Sequence, residues 1–432
     1  MAHTLSQTIR GADTVLLEPA SAWTQDGAGS CKGTRLAPDM SRAAVLLVAS
    51  LVAAAWRPAA GQAPTTVTVT QIAASWHILA LLSDGSVSAL GNNRSGQLGR
   101  PKVTRGFLPA ARVDLPRPAV QVAAGDDDAS YALLDDGTVW AWGRGFSHNL
   151  GVPLTGATER HTPAPVPALA DVARVIAQNA SVMAVMRDGS VRAWGEVPAF
   201  LTGGARKYPG VATPMPIAGL ADVVDIAGGP NGGYALTRDG RLFAWGPNIK
   251  GQLGTGTATV EERGPAIVAG VSDVVSIATV NGAAVAVTRD GRVWSWGSNE
   301  QGGLGHGTQA DVGEPGQPTP THATTISDAV EVKAGTFGRQ FIVRRRNGTL
   351  VGWGNSDWGQ LGAGISGDFQ LKPTPITLPD VETYWLGGNF RFARTRDGSL
   401  WFWGEESAAP GLLGVRGNQR RPMKVPLEKF VP

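Results

Sequence analysis

The feature that most limits how this chain can fold is a turn signal that returns about every 50 residues. Six Asp-Gly pairs and one Asn-Gly pair place their glycines 52, 52, 51, 51, 57 and 50 residues apart, at Gly85, Gly137, Gly189, Gly240, Gly291, Gly348 and Gly398. Each pair stands between two apolar runs and therefore predicts a β-hairpin, with a type I′ turn as the expected geometry. Seven hairpins at one period predict a repeat architecture of the propeller kind.

An alternating strand follows each turn. One register holds a bulky residue, namely Leu90, Trp142, Trp194, Trp245, Trp296, Trp353 or Trp403. The position before it is small in six copies and is Phe402 in the last. Because neighbouring side chains of a strand point to opposite faces, each sheet has a bulky face and a bare face, and such faces interlock when similar sheets stack round an axis. We interpret the Trp row as core packing, with a ligand-stacking or carbohydrate-binding row as the open alternative.

A glycine-flanked leucine loop follows most of these strands. The sequence Gly-Gln-Leu-Gly stands whole at residues 96–99, 251–254 and 359–362 and in weaker form at 302–305 and 411–414. Its glycines permit left-handed backbone and its leucine can plug the underside of the loop. It is not a phosphate-binding loop, because the lysine and hydroxyl residue of that motif do not follow.

An apolar strand before each hairpin and a proline-bearing strand, suited to a sheet edge, bring each repeat to four strands. We therefore predict an all-β, seven-bladed β-propeller over residues 64–432. Its repeats are placed near residues 66–117, 118–169, 170–220, 221–271, 272–327, 328–379 and 380–430. The first repeat has no proline-bearing strand ahead of it, whereas residues 420–430 form one with no blade after it. The expected arrangement is a ring closed by this C-terminal strand, paired beside the first blade.

The combined pattern of an IAAG-like strand, Asp-Gly, V-x-A-W-G, N-x-x-G-Q-L-G and P-x-x-V resembles the regulator of chromosome condensation repeat family, over about residues 66–430. The resemblance implies the same seven-bladed propeller, and its motifs are scaffold residues. The family's histidine after the first strand is matched only by His77, and residues 196–204 replace the leucine loop of the third copy.

Residues 40–63 have the pattern of a secretory signal peptide, namely a methionine, one arginine, an apolar run of about a dozen residues and then small residues. The run is short for a membrane span, although a short anchor or a buried helix is an alternative. Residues 1–39 show no such character and are expected to be a non-native or disordered extension, with Met40 as the true start and cleavage after Ala63. The one cysteine, Cys31, precedes this segment. We therefore expect a secreted or periplasmic protein without disulfides and without stable membrane insertion.

Composition and motifs argue against several function classes. The formal net charge is +3, and removing residues 1–65 leaves +2, so no basic stripe for nucleic acid is expected. The six histidines are scattered, and no nucleophile elbow or dinucleotide motif occurs. The sequence therefore predicts no cofactor, no metal site, no catalytic residues and no enzyme activity. Carboxylates paired across blades would escape this reasoning.

The variable loops lie at one end of the predicted blades, after the first strand and after the Trp strand. Their aromatic and acidic residues are the candidates for partner binding: Trp76, Asp126, Asp127, Asp128, Phe146, Phe337, Trp358 and Phe390. The acidic run lacks the spacing of a calcium loop and is otherwise a solvated loop. Exposed aromatics anchor protein interfaces, so the leading hypothesis is an exported, monomeric, non-catalytic propeller that binds a protein, comparable in architecture to secreted β-lactamase inhibitory proteins.

Two alternatives come from other classes. The family resemblance implies nucleotide exchange on a small GTPase, which calls for a cytosolic or nuclear location and a protruding hairpin. Here the longest excess, residues 306–325, is rich in Gly, Pro and Thr and predicts a floppy loop. The other alternative is a propeller enzyme acting on cell-wall or other polysaccharide.

Overall fold

A computed structural model describes residues 67–432, and the predicted extension 1–39 and signal segment 40–63 lie outside the described residues. Within the range the structure describes all residues except 104–105, 154–157, 179, 198, 203–209, 230–231, 323–324, 336–338, 366–368, 407–410 and 412–416. Residues 66–432 make up one compact unit. Among the described residues, no helix has the length and apolar character needed to cross a membrane.

The chain forms seven antiparallel sheets of four strands, each sheet a blade built from consecutive strands. Blade 1 consists of β1 (Val69–Ala74), β2 (His77–Leu82), β3 (Val87–Asn92) and β4 (Phe107–Arg112), and blade 2 of β5 (Ala119–Ala124), β6 (Ala129–Leu134), β7 (Val139–Arg144) and β8 (Glu159–Pro165). Blade 3 consists of β9 (Val172–Gln178), β10 (Ser181–Met186), β11 (Val191–Glu196) and β12 (Gly210–Pro216), and blade 4 of β13 (Val223–Gly229), β14 (Gly232–Thr237), β15 (Leu242–Asn248) and β16 (Thr259–Ile267).

Blade 5 consists of β17 (Val274–Val280), β18 (Ala283–Thr288), β19 (Val293–Gly297) and β20 (Gln317–His322), and blade 6 of β21 (Ala329–Ala334), β22 (Phe341–Arg345), β23 (Leu350–Gly354) and β24 (Gln370–Ile376). Blade 7 consists of β25 (Val381–Leu386), β26 (Phe390–Thr395), β27 (Leu400–Gly404) and β28 (Gln419–Val425). A short helix, α1 (Ala199–Thr202), and two 3₁₀ turns, Phe146–His148 and Leu427–Lys429, complete the described elements. The first strand of each blade contacts the first strands of both neighbours, β25 and β1 included, so the ring is closed. The predicted seven-bladed propeller is confirmed.

The cores lie between the blades. Ala89 of blade 1 shares a buried cluster with Trp142 of blade 2, and Ala141 of blade 2 shares the next with Trp194 of blade 3. The same pairing of a small residue with the Trp of the following blade continues through blades 3, 4 and 5. The Trp row is therefore core packing, as predicted from the alternation of side chains along the strand.

At the junction of blades 7 and 1 the two sizes are exchanged. Phe402 stands where the other blades have a small residue, and it packs in one cluster with Leu90, which stands where the others have Trp. Phe402 lies 5.3 Å from the Phe392 ring, centroid to centroid, and Phe430 contacts Phe392 edge-on at 5.8 Å. Packing among aromatic rings therefore replaces the Trp contact of the other junctions.

The predicted closure by the C-terminal strand is wrong. β28 is the fourth strand of its own blade, where it pairs with β27, and blade 1 has its own fourth strand, β4, which contains Pro109. The physical reason is that each proline-bearing strand pairs with the Trp strand before it in sequence, so every blade is continuous. The C-terminal segment contributes to closure through side chains, with Val425 and Phe430 buried in the cluster shared with blade 1.

The Asp-Gly turns are also different from the predicted type I′ geometry. In the first hairpin, Gly85 has a φ of +78°, but Asp84 is not among the residues with positive φ. The Gly85 N–H donates to the Leu82 carbonyl at 2.9 Å, which makes a type I turn followed by a left-handed glycine. Asp84 Oδ1 accepts from the Ser86 N–H at 2.9 Å and from its hydroxyl at 2.6 Å, so the carboxylate caps the turn.

The turn glycine also meets the next blade. The Gly85 carbonyl accepts from the Ala119 N–H at 2.8 Å, and a Cβ at Gly85 would lie 2.6 Å from Pro118 Cβ. Equivalent bonds run from Gly137 to Val172 and from Gly189 to Val223, both at 3.0 Å. Glycine is therefore needed at this position for close approach as well as for its φ.

Residues 306–325, expected as a floppy loop, are partly ordered. Residues 317–322 form β20, the fourth strand of blade 5, and Glu300 forms a parallel bridge with Ala310. Thr321 lies opposite Ser295 in the β19–β20 ladder. The extra length of the fifth repeat therefore lies before its fourth strand.

The packing at the junction of blades 7 and 1, which we call the seam, can be tested by exchanging the large and small side chains at positions 402 and 90. Phe402→Ala should lower the free energy of unfolding by about 3–5 kcal/mol through the cavity it leaves, and Leu90→Trp should lower it by about 1–3 kcal/mol through overpacking. Together they recreate the Ala–Trp pair of the other junctions. We expect the double variant to be more stable than Phe402→Ala alone, measured by urea unfolding.

Phe402→Ala combined with Val285→Ala, in the separate cluster of blades 5 and 6, is the control, and its effects should add within about 0.5 kcal/mol. Equally additive losses for the seam pair would contradict the exchanged-size account.

Candidate interaction face

The up-and-down course of each blade separates two faces. The upper face is defined here by the loops after the first and third strands of each blade, and the lower face by the Asp-Gly turns and the connections between blades. Since consecutive strands pair in antiparallel order, both kinds of variable loop lie on the upper face. The predicted partner-binding residues that the structure describes belong to upper-face loops or to the strand ends beside them.

The upper loops are fixed by hydrogen bonds from the next blade. Each of five Trp indoles donates Nε1–H to a carbonyl of the preceding blade's loop: Trp142 to Gln97 at 2.9 Å, Trp194 to Asn149 at 2.7 Å, Trp296 to Gln252 at 3.0 Å, Trp353 to Gly303 at 2.9 Å and Trp403 to Gln360 at 3.0 Å. In the junction of blades 3 and 4, α1 takes the place of the leucine loop, and its Phe200 and Leu201 pack against the cluster of Trp245.

An asparagine at the start of these loops holds them from inside. Asn93 Oδ1 accepts from the Leu98 N–H at 3.0 Å, and its Nδ2 donates to the Pro101 carbonyl at 2.8 Å. Asn248 makes the same pair of bonds, to Leu253 at 3.0 Å and to Thr257 at 2.7 Å. Sequence reasoning noted this asparagine only as part of the repeat pattern. Its signal is its fixed place five residues before the buried leucine.

Three of the predicted aromatics are exposed on upper loops. Trp76 is 45% exposed in the β1–β2 loop, Phe146 is 47% exposed after β7, and Trp358 is 44% exposed after β23. The Arg144 guanidinium lies 5.6 Å from the centre of the Phe146 ring. Phe337 lies outside the described residues.

The inclusion of Phe390 among the exposed anchors is wrong. Its side chain is 1% exposed and belongs to the seam cluster of blades 7 and 1. It is the first residue of β26, and its ring lies 6.1 Å from Phe392 and 6.3 Å from Phe402. The seam needs this aromatic because it lacks a Trp, so Phe390 is a core residue.

The acidic loop Asp126–Asp128 is hydrogen-bonded rather than freely solvated. Asp126 Oδ1 accepts from the Ser75 hydroxyl of blade 1 at 3.0 Å, and Asp128 Oδ1 accepts from Gln97 Nε2, also of blade 1, at 2.9 Å. Asp127 Oδ2 accepts from Asn149 Nδ2 in the other upper loop of blade 2. The loop therefore lies directly beside Trp76 and joins the upper loops of blades 1 and 2.

Burial changes the acidity of this loop. It raises the pKa of the Asp127 carboxyl to about 7, with the neighbouring charges of Asp126 and Asp128 adding to the shift. Burial also raises the pKa of Asp128, against the opposing effect of Arg144. Among the described residues, no group of three or more His, Cys, Asp or Glu side chains is arranged to hold a metal ion.

His77 is a buried member of the same junction. Its Nε2 lies 2.6 Å from Ser130 Oγ, and the Ser130 hydroxyl donates to the Gln97 carbonyl at 2.8 Å. Because the Ser130 proton is used in that bond, His77 Nε2 must be the donor to Ser130. Burial lowers the pKa of His77 to about 3, so the ring is neutral. Gln97 thus accepts from both Ser130 and Trp142.

Sequence reasoning missed a polar position on the innermost strands. The third residue of each first strand is polar, namely Gln71, Gln121, Arg174, Asp225, Ser276, Glu331 or Thr383. Gln71 and Gln121 each bond both backbone groups of one residue in the next blade, Val122 and Val175, at 2.7–3.0 Å. Arg174 reaches Asp225 at 3.0 Å. The recurrence of polar residues at this place in apolar strands was the available signal.

Arg391 was missed as well. The side chain is fully buried, and its Nη1 donates to the carbonyls of Gly387 and Gly388 at 3.0 Å and of Phe390 at 2.7 Å. Its Nη2 donates to Gln340 Oε1 of blade 6. Burial lowers the pKa of this guanidinium to about 9. Arg391 therefore organises the loop before β26 and connects blades 6 and 7.

Known proteins with similar sequences agree with the propeller fold. The model of the RCC1-like domain matches residues 27–385. The human E3 ubiquitin-protein ligase HERC2 is 29% identical over 352 residues, which cover 76% of this chain and only 7% of HERC2. The Arabidopsis thaliana ultraviolet-B receptor UVR8 is 30% identical over 318 residues, covering 70% of this chain and 68% of UVR8.

Solved structures share the architecture. Human WBSCR16 superimposes with a TM-score of 0.67 at 22% identity, over 79% of this chain and 94% of that one. Prp20p of Saccharomyces cerevisiae superimposes with a TM-score of 0.64 at 20% identity, over 78% of this chain and 84% of that one. At these identities the likeness concerns the fold.

The neutral state of His77 makes a prediction for acid conditions. Its pKa is about 3 when folded and 6.5 as the ordinary value, so the folded state resists protonation. The stability it supports is fully present above pH 6.5 and is lost as the pH falls toward the folded pKa. Between pH 6.5 and pH 4 we expect the wild type to lose about 3 kcal/mol more unfolding free energy than His77→Gln, measured by urea titration at each pH. Parallel profiles would show that His77 is not held neutral.

Proposed function

The chain belongs to the RCC1-like domain family, and on that premise we propose that it is a non-catalytic propeller that binds a protein partner through its upper face. The observation that carries the proposal is the placement of Trp76, Phe146 and Trp358, three half-exposed aromatics on loops that the next blades hold in position. Aromatic side chains are the residues most often found as energetic anchors of protein interfaces.

The distribution of exposed apolar side chains supports this choice of face. Among the described residues, the large exposed ones at the upper ends of blades are Trp76, Phe107, Phe146, Ile249, Val312, Trp358 and Ile365, whereas those nearer the lower ends are Val120, Val224, Ile267 and Val275. The exposed aromatics thus all belong to the upper set. Single exposed aliphatics are ordinary on any surface, so the lower set needs no functional explanation.

The anchoring of the upper loops supports binding in a second way. Trp indoles and asparagine side chains fix the loop backbones in the free protein, so little conformational entropy remains to be lost when a partner docks. A preformed surface of this kind suits recognition of a folded partner.

The names of two similar proteins state an activity or a binding partner. HERC2 is named as a ubiquitin ligase, but this chain spans only 7% of its length, which gives no ground for carrying that activity over. The yeast Prp20p structure concerns that protein's binding to Gsp1p and histones. Protein binding by the propeller itself is the property that we propose for this chain, with the partner's identity left to experiment.

We also propose that the protein is exported through the signal segment 40–63. The support is the sequence pattern of that segment. Peptide sequencing of the protein recovered from a native source should find a start close to residue 64. Mature protein that retains residues before Met40 would contradict export through this segment.

The face proposal is tested by site-specific photo-crosslinking. A photoreactive residue is placed singly at positions 76, 146 and 358 on the upper face and at positions 120, 224 and 275 on the lower strand ends. We expect specific adducts from the upper positions in native extracts, and identification of the adduct by mass spectrometry names the partner. Against that purified partner, Trp76→Ala should weaken binding by about 1–4 kcal/mol, measured by calorimetry.

Val224→Ala, on an exposed residue of β13, is the matched control and should bind like the wild type. Adducts that form equally from both sets of positions, or only from the lower set, would contradict the assignment of the upper face.

A further inference from the structure

The partly buried Asp127 forms a hydrogen-bonded pair with Asn149 beneath the upper face of blade 2. Asn149 Nδ2 donates to Asp127 Oδ2, and Asn149 is fully buried. Asn149 directly follows the 3₁₀ turn Phe146–His148, and its N–H donates to the Phe146 carbonyl at 3.0 Å. The pair therefore connects the acidic loop to the turn that carries the exposed Phe146.

Each partner of this pair has one acceptor oxygen left over. Within the part of the chain that the structure describes, neither Asp127 Oδ1 nor Asn149 Oδ1 has a hydrogen-bond partner, and both atoms are shielded from solvent. Buried acceptors without a donor are costly, because they have lost their hydrogen bonds to water. What the two leftover oxygens lack is the same thing, a single proton between them.

We propose that Asp127 is a protonated carboxylic acid at mildly acidic pH, that its Oδ1–H donates to Asn149 Oδ1 while Asn149 Nδ2 donates to Asp127 Oδ2, and that release of this proton to water at higher pH loosens the Phe146 turn. The acid and the amide then make two reciprocal hydrogen bonds and both leftover acceptors are used. No other reagent is needed, because the only chemical step is exchange of one proton with solvent.

The surrounding charges favour the protonated form. Burial raises the pKa of Asp127 to about 7, and the neighbouring carboxylates Asp126 and Asp128 raise it further. The cations of the adjoining loops, Arg94 and Arg144, act on Asp128. From β6, Tyr131 faces the pair as a neutral phenol whose own pKa is raised by burial and by Asp127.

The turn itself holds His148 and Ser147, whose hydroxyl donates to Glu196 Oε1 at 2.9 Å. Burial and the two neighbouring anions therefore favour the acid, and the backbone N–H groups of Asp127 and Ala129, which favour the carboxylate, only partly offset them.

Ionisation has a structural route to the surface. The Asn149 carbonyl accepts from Trp194 Nε1 at 2.7 Å and from the Tyr131 hydroxyl at 3.0 Å, so Asn149 is held from blade 3 and from its own blade. A carboxylate at Asp127 leaves Asn149 Oδ1 beside a negative oxygen and requires water to enter. Hydration at this point separates the acidic loop from the Phe146 turn, while Trp194 retains the backbone of Asn149. The device acts whether or not the upper face is the docking surface.

Asp127→Asn is the decisive variant, because a side-chain amide supplies at all pH values the donor that the acid supplies only when protonated. The folded pKa of about 7 lies above the ordinary value of 3.8, so the stability from this group is full below pH 3.8 and is lost as the pH rises through 7. The ratio of unfolding constants, wild type over D127N, should therefore rise by up to about tenfold per pH unit between these values and then level off.

Asp188→Asn is the matched control, since Asp188 is an exposed turn aspartate whose pKa is lowered by its bonds to Ser190. Its ratio to the wild type should be flat from pH 5 to pH 8. A flat ratio for D127N over the same range, or one that rises as the pH falls, overturns the proposal.

Two measurements decide the matter without relying on unfolding. The infrared band of a protonated carboxyl should be present at pH 6 in the wild type and absent in D127N. Amide hydrogen exchange of residues 145–151 should be faster in the wild type than in D127N at pH 8.5 and equal in the two at pH 5.5. Absence of the infrared band from the wild type would also overturn the proposal.

Discussion

The propeller depends on one recurrent junction, in which a loop carbonyl of one blade receives the indole N–H of the next. The geometry needs a Trp that crosses to the neighbouring blade, a small residue that leaves room for its ring, and a glycine that lets the loop approach. Gly254 and Gly362 would place a Cβ 3.0 Å and 2.8 Å from Nε1 of Trp296 and Trp403. The Trp rings therefore contribute both packing and hydrogen bonds, and their contacts in the core fix the positions of the upper loops.

Where this junction is missing, the molecule uses a different solution for the same space. Leu90 cannot donate a hydrogen bond, and the seam instead collects Phe390, Phe392, Phe402 and Phe430. At the junction of blades 3 and 4 the short helix α1 supplies Phe200 and Leu201. Protein interiors are packed to nearly the same density everywhere, so at both departures from the repeat other residues fill the space that a Trp or a leucine loop fills elsewhere.

The sequence was informative about the fold because strand alternation and turn chemistry act locally. The period of the Asp-Gly pairs and the size alternation before Trp142 and its equivalents were enough for blade number, strand number and interlocking. One error came from an interaction that no local pattern contains, because the blade that the strand 420–430 joins depends on its pairing with β27. The other came from turn chemistry, since a glycine after Asp suits a type I′ turn and also a type I turn followed by a left-handed glycine, the geometry found at Gly85.

The candidate site was less predictable for the same reason. Trp76, Phe146 and Trp358 are exposed, as their loop positions predicted, whereas Phe390 is buried in the cluster at the seam. The partners of Asp127 and His77, namely Asn149 and Ser130, are 22 and 53 residues away in sequence, and a linear pattern does not reveal them. Burial moves the pKa of His77 down and that of Asp127 up, so their contributions to stability oppose each other across mildly acidic pH.

Closure of the ring by side chains alone has a consequence for how such a molecule is modular. Since no strand is shared between the first and last blades, each blade is an unbroken stretch of chain, and the six connections between consecutive blades are topologically equivalent. New termini at any of these connections, with residues 67 and 432 of the propeller joined by a linker, would leave every sheet intact. The fold therefore does not depend on which connection carries the termini, and this property suits rearrangement, duplication and insertion of whole blades.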